Sequence, residues 1–307
     1  MKLLIDTDPG IDDAVAIALA LGRPDAELLG LSTVAGNVSL SATTGNALRL
    51  LRAFGREDVP VAPGAARGLV RVKPDHRFVH GRNGVGEVEL PAARSAPARS
   101  HAVDFIASVL AAAPPRSVTI AAIGPLTNIA LLSALHPELC GRVARLVVMG
   151  GSSGPGNVTP AAEYNTWADP EAAQRVLASS GFPSICLVEL SVTAAATIGP
   201  RALAQLRGGS QRGALLAAMI DGYADEVWGE RPLHDALALA AVIEPQLLRC
   251  RPASVEVETG TGPQRGRTFV SFGTEPTAGS GLEVAVGFEL ERFRALLLDS
   301  LAADAAA

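Results

Sequence analysis

The chain has 307 residues, of which 48% are hydrophobic, 19% charged and 4% aromatic, with 31 Gly and 21 Pro. That apolar content excludes a disordered or disulfide-stapled chain, and a length near 300 still allows one large α/β domain. The 26 Lys and Arg against 31 Asp and Glu leave a formal charge of −5 without a basic cluster, so the electrostatic footprint of a nucleic-acid binder is absent.

Along the chain, short apolar runs alternate with Ala- and Leu-rich helical segments, and Gly, Asn and Asp fill the joints. Residues 3–6 read as a buried strand followed by a helix over 13–21, and residues 27–34 as a strand followed by a helix over 41–54. A helix over 101–113 leads to a strand at 117–123 and a helix over 126–135. Strands at 145–149 and 184–190 flank a helix over 170–180, and a further helix covers 233–243. This βαβα rhythm predicts one domain over residues 1–307, with a mainly parallel (mixed) central sheet and helices on both faces. Ligands of such sheets lie outside the carboxyl ends of the strands, so the residues after each apolar run are where chemistry is expected. The aperiodic stretches 67–99 and 150–160 read as long loops over a site, and the tail 297–307 as a helix fraying into alanines.

No apolar run reaches the roughly 18 residues of a membrane span, and the first residues read as a strand, not a leader. The expectation is a soluble cytoplasmic protein with no membrane partner. Cys140, Cys186 and Cys250 are odd in number and lack CxxC spacing, which suits reduced, buried thiols.

After the first strand the chain reads Asp6-Thr-Asp-Pro-Gly-Ile-Asp-Asp13, four carboxylates in eight residues with no Lys or Arg among them. Singly, Asp12 or Asp13 reads as an ordinary N-cap with a first-turn acid favourable to the helix dipole. Together, four like charges this close need a positive partner, and a hard divalent cation bound by oxygens supplies one. The spacing is not that of an EF-hand. Polar residues follow later strands too: Asn37, Thr127 and Asn128, then Asn157, Glu163 and Asn165, and finally His234 and Asp235. Thr127, Asn128 and Asp235 each have a simpler reading as helix caps, and His234 as a surface histidine. As a set, carboxylates, amides and a histidine at strand ends describe a pocket for a polyhydroxylated ligand, because each sugar hydroxyl both donates and accepts.

These segments resemble the nucleoside hydrolase family, the inosine-uridine preferring nucleoside hydrolases. The likeness rests on Asp6-Thr-Asp-Pro-Gly-Ile-Asp-Asp13, Ala35-Gly-Asn37, His80-Gly-Arg-Asn-Gly84, Gly124-Pro-Leu-Thr-Asn128, Met149-Gly-Gly151, Asn157-Val-Thr-Pro-Ala-Ala-Glu163-Tyr-Asn165 and Pro232-Leu-His-Asp235, in the family's order. It implies a Rossmann-like nucleoside hydrolase fold and one Ca²⁺ per subunit, held by Asp8, Asp13, Asp235 and the backbone carbonyl of Ile123. It further implies that Asp8 is the general base of water attack on a ribonucleoside, that Asn37 orients Asp8, and that His234 is the acid for the leaving base. Asp12, Asn157, Glu163, Asn165 and Asp235 would bind the ribose, Met149 would pack beside it, and His80 would lie in the base pocket. Inversion at the anomeric carbon and a homodimer or homotetramer are also implied. Tyr223 and Trp228 fall where the family places a base-contacting helix, and helix packing explains them equally well. Thr7 stands where some relatives have cysteine.

Rival readings are weaker. A haloacid-dehalogenase-type phosphatase would use Asp6-Thr-Asp8 but needs a downstream lysine, and beyond Lys2 the chain has only Lys73. The run Gly150 to Gly156 is followed by Asn157, which is no P-loop, and Gly81, Gly84 and Gly86 lack the context of a dinucleotide fingerprint. A non-catalytic ribose or nucleoside binder on the same scaffold would have no need of the candidate base Asp8.

Overall fold

The structure, a computed structural model, describes residues 1–71, 79–179, 181–223, 229–273 and 281–301. Lys73, Ser180, Trp228 and the tail beyond 301 lie outside the described residues. The strands are β1 (Lys2–Thr7), β2 (Glu27–Thr33), β3 (Val61–Pro63), β4 (Val118–Ala122), β5 (Val143–Met149), β6 (Ile185–Val188), β7 (Thr197–Ile198), β8 (Arg231–Pro232), β9 (Leu248–Val257), β10 (Thr268–Phe272) and β11 (Leu282–Phe288). The helices are α1 (Ile11–Leu21), α2 (Leu40–Ala53), α3 (Ala102–Ala112), α4 (Thr127–Leu135), α5 (Pro137–Cys140), α6 (Tyr164–Ala168), α7 (Pro170–Ser179), α8 (Leu190–Thr193), α9 (Pro200–Gly209), α10 (Gln211–Asp221), α11 (His234–Ile243) and α12 (Leu290–Leu301), with a 3₁₀ turn at Pro245–Leu247.

Nine strands form one sheet in the order β10-β9-β11-β6-β5-β4-β1-β2-β3. From β3 across to β11 every neighbour is parallel, and β9 and β10 add antiparallel at the edge. Leu3, Leu4 and Ile5 of β1 are all buried, because a central parallel strand is covered on both faces and so reads as a continuous apolar run. One face packs against α1, α2, α10, α11 and α12, the other against α3, α4 and α7. The mixed, mainly parallel sheet with helices on both faces is therefore present.

The order reverses at β1, whose neighbours are β2 and β4, so the loops after these three strands diverge and leave a crevice at their carboxyl ends. β6 stops at Val188, short of the expected 190, because Glu189 is the N-cap of α8. Among the described residues no helix is long and apolar enough to cross a membrane. Cys140 and Cys186 are buried, Cys250 is half-buried, and none is in a disulfide.

Candidate active site

The first turn is organised around Asp13. Gly10 is the N-cap of α1 and donates its N–H to Asp13 Oδ2 at 2.9 Å, closing the helix end as a first-turn acid does. Asp13 does more than cap. Its Oδ1 also accepts from the Thr7 hydroxyl and, at 3.3 Å, from the Asp8 N–H, and its Oδ2 accepts from Asn37 Nδ2 at 3.2 Å. Asn37, from the loop after β2, donates its backbone N–H to Asp8 Oδ2 at 2.6 Å and its Nδ2 to the Asp8 carbonyl at 3.2 Å. A Cβ on Gly36 would overlap Asp8 Oδ2, and one on Gly124 would stand 2.5 Å from Asp8 Oδ1. Two strand-end loops thus close on the Asp8 carboxylate because glycine lets them.

Asp12, Asp13 and Asp235 are buried and bring carboxylate oxygens within 4.8 Å of one another. Asp235 is in the first turn of α11, whose N-cap is Leu233, so it is not a cap. Burial pushes the Asp235 carboxyl well above the usual carboxylate range, and the charges of Asp12, Asp13 and Asp8 add to this. Asp13 is raised by burial and then by Asp12. A buried, oxygen-only, mutually repelling set fits a hard divalent cation. Asp8 stands outside the 4.8 Å trio, and the Ile123 carbonyl accepts from Asn165 Nδ2 at 3.1 Å.

The opposite wall comes from the segment after β5. Glu163 is the N-cap of α6 and accepts from the N–H groups of Asn165 (2.8 Å), Thr166 (3.1 Å) and Gly151 (2.8 Å); burial still raises its carboxyl. Asn165 Nδ2 bridges the carbonyls of Ile123 and Met149, each at 3.1 Å. Asn157 is exposed, and its Oδ1 accepts from the Tyr164 N–H at 3.0 Å.

Both histidines are buried, so His234 is not a surface residue. His80 Nδ1 accepts the Ile11 N–H at 3.1 Å, which places the ring proton on Nε2, and its ring lies 5.2 Å from that of Tyr223. His234 Nδ1 lies 2.8 Å from the Thr193 hydroxyl. A cavity of about 290 Å³ at the sheet's switch point is lined by Asp8, Asp12, Asn37, His80, Ile123, Met149, Asn157, Glu163, Asn165, His234 and Asp235, with Val79, Val158, Tyr164 and Tyr223. Asp13 alone of the expected site residues is not on its surface; it belongs to the carboxylate trio with Asp12 and Asp235, both of which are.

Thr127 and Asn128 do not cap α4. Thr127 donates to Asp169 at 2.6 Å, and Asn128 Nδ2 donates to Asp6 at 2.8 Å and to the Thr33 carbonyl at 3.1 Å. Sequence reasoning missed Thr193 and Glu189. The latter accepts from Ser153 N–H at 2.7 Å and pins the 150–160 loop. A lone Thr or Glu in an apolar stretch carries no motif that would single it out.

The family described as inosine-uridine preferring nucleoside hydrolase matches residues 3–295. The chain belongs to the nucleoside hydrolase family. These enzymes hydrolyse N-glycosyl compounds, and this hydrolase is 40% identical over 303 residues to the non-specific ribonucleoside hydrolase RihC of Escherichia coli O1:K1 / APEC, covering 98% of each chain. It is 39% identical over 313 residues to the pyrimidine-specific ribonucleoside hydrolase RihA of Citrobacter koseri, again with 98% of each covered. The solved plant nucleoside hydrolase PpNRh1 superposes with a TM-score of 0.91 at 34% identity, over 98% of this hydrolase and 99% of that chain.

Proposed function

We propose that the hydrolase cleaves the N-glycosidic bond of ribonucleosides with water, giving ribose and free base with inversion, and that it depends on Ca²⁺. The observation that carries this reading is the meeting of Asp8, Asp12, Asn37, His80, Glu163, Asn165, His234 and Asp235 on one cavity at the carboxyl ends of the strands. Asp8, Asp13, Asp235 and the Ile123 carbonyl are the groups to hold the ion, which when bound offsets the acidic cluster, anchors the ribose diol and acidifies a water.

Asp8, oriented by the Asn37 N–H, takes the proton of the attacking water at its carboxylate. Asp12, Asn157, Glu163 and Asn165 bind the ribose hydroxyls, and Met149 covers the apolar side of the sugar. The surrounding carboxylates stabilise the positive charge that develops on the ring as the bond to the base breaks. His234 gives a proton to the departing base. His80, its Nδ1 occupied by the Ile11 N–H, acts as a fixed hydrogen-bond donor toward the base. Two histidines on the base side support a broad substrate range that includes pyrimidine ribonucleosides, in line with the names of the 39–40% identical relatives. A cytoplasmic homodimer or homotetramer completes the proposal.

The test is a reducing-sugar assay over purine and pyrimidine ribonucleosides before and after treatment with a strong Ca²⁺ chelator. Ribose release that the chelator abolishes and Ca²⁺ restores is expected. Ca²⁺-loaded protein that binds ribose yet releases none from any nucleoside would replace this reading with the non-catalytic binder.

A further inference from the structure

Resting on that hydrolase reading, we propose that Thr193 is a positioning residue, whose hydroxyl sets the His234 ring for protonation of the leaving base. Thr193 closes α8, is fully buried, and has its Oγ1 2.8 Å from His234 Nδ1. The short helix that carries it is tied to both walls of the cavity. On one side Glu189, its N-cap, accepts from Ser153 N–H at 2.7 Å and Ser153 Oγ at 2.6 Å, and Leu190 N–H donates to the Gly151 carbonyl at 2.9 Å. On the other, Leu233 N–H donates to the Ala196 carbonyl at 2.9 Å, and β7 pairs with β8 immediately before His234. The hydroxyl is therefore held on a frame that spans the loop carrying Asn157 and the turn carrying His234.

His234 lines the cavity with its Nδ1 turned to Thr193, so the hydroxyl sets the rotation of the ring there. The two histidines are held differently. The Ile11 N–H can only donate to His80, whereas a hydroxyl donates or accepts and so partners Nδ1 whichever way the ring carries its proton. Replacing Thr193 by valine fills the same space and removes the only atom by which this side chain holds the ring.

The experiment compares wild type, Thr193→Val and Thr193→Ser on uridine and on p-nitrophenyl riboside, whose leaving group departs without a proton. Thr193→Val is expected to lower kcat on uridine about 10-fold or more. On p-nitrophenyl riboside its kcat, and its Ca²⁺ Kd, stay within about 2-fold, since sugar and ion are gripped elsewhere. Thr193→Ser keeps the hydroxyl and is expected to retain the uridine rate. Equal losses on both substrates, an unchanged uridine rate in Thr193→Val, or a serine variant as slow as the valine one would overturn the assignment. Should Thr193→Val not fold, Thr193→Ala removes the same oxygen and carries the same expectation. A wild-type protein inert toward both substrates would sink the hydrolase reading, whereas an unchanged nitrogen-15 NMR signal of His234 Nδ1 in Thr193→Val would sink the positioning role itself.

Discussion

Asp6, the last residue but one of β1, has its side chain wholly buried, accepting from Ser32 Oγ and from Asn128 Nδ2, while its Oδ2 has no hydrogen-bond partner among the described residues. Burial outweighs those two bonds and pushes its carboxyl up to about 6. A carboxyl raised in the folded state holds a proton there that the unfolded chain has already released. Its favourable contribution is complete below pH about 4 and is lost as pH rises through about 6, amounting to about 3 kcal/mol at neutral pH. In Asp6→Asn, which cannot ionise, the fall in urea midpoint between pH 4 and 7 should shrink relative to wild type; an identical pH profile would contradict the raised value. At this scale, the residues that the structure brings together at the cavity and the carboxylate cluster were readable because they come as local motifs: Asp8, Asp12 and Asp13 on one turn, Glu163 and Asn165 on another. Thr193, Glu189 and the tertiary bonds of Thr127 and Asn128 were not, because their partners lie far away in sequence and nothing local marks them.

The loops after β2 and β4 approach Asp8 so closely that their glycines are part of the site's geometry. Gly124→Ala places a methyl 2.5 Å from Asp8 Oδ1, and the atom it meets belongs to a carboxylate already fixed through Oδ2 by Asn37. The expected result is a loss of about 100-fold or more in kcat/KM with little change in thermal midpoint, since the cavity can absorb the displaced side chain. An alanine variant as active as wild type would show that Asp8 need not sit where it does. The parallel strands β1, β2, β4, β5 and β6 were legible as continuous apolar runs, which two-sided burial demands. The edge was not. β3 is three residues long, and β9 alternates buried and exposed positions through Arg249, Arg251 and Pro252, a mixture that reads as loop until β11 and β10 are seen on either side of it.

Four of the molecule's buried carboxylates, Asp8, Asp12, Asp13 and Asp235, repel one another in one place, so an ion bound to the native state alone should stabilise it by mass action. Calorimetry of the metal-free protein is expected to give one transition, the outcome that one domain over residues 1–307 would produce. Ca²⁺ at about a hundredfold excess over its Kd should add about 2.7 kcal/mol and raise Tm, and a chelator should reverse the shift. A Tm indifferent to Ca²⁺ would remove the metal from the proposal, and two resolved transitions would divide the chain.

The order of strands in the sheet is not the order in which a ribosome delivers them. β6 ends at Val188, but the strand that covers its open edge, β11, begins only at Leu282, after β9 and β10 have been made. Until then a nascent chain exposes a row of unpaired backbone groups beside an apolar face, the kind of edge that recruits other chains. The strand made just before β11, β10, carries Thr268, whose hydroxyl accepts the Ser152 N–H and donates to the Ser152 carbonyl, each at 2.8 Å, and so clamps the root of the pocket loop. Polypeptides released before β10 is made lack both the edge cover and the clamp, so premature termination there yields aggregation-prone fragments with an unfinished pocket, and hydrolysis waits for the last stretch of translation.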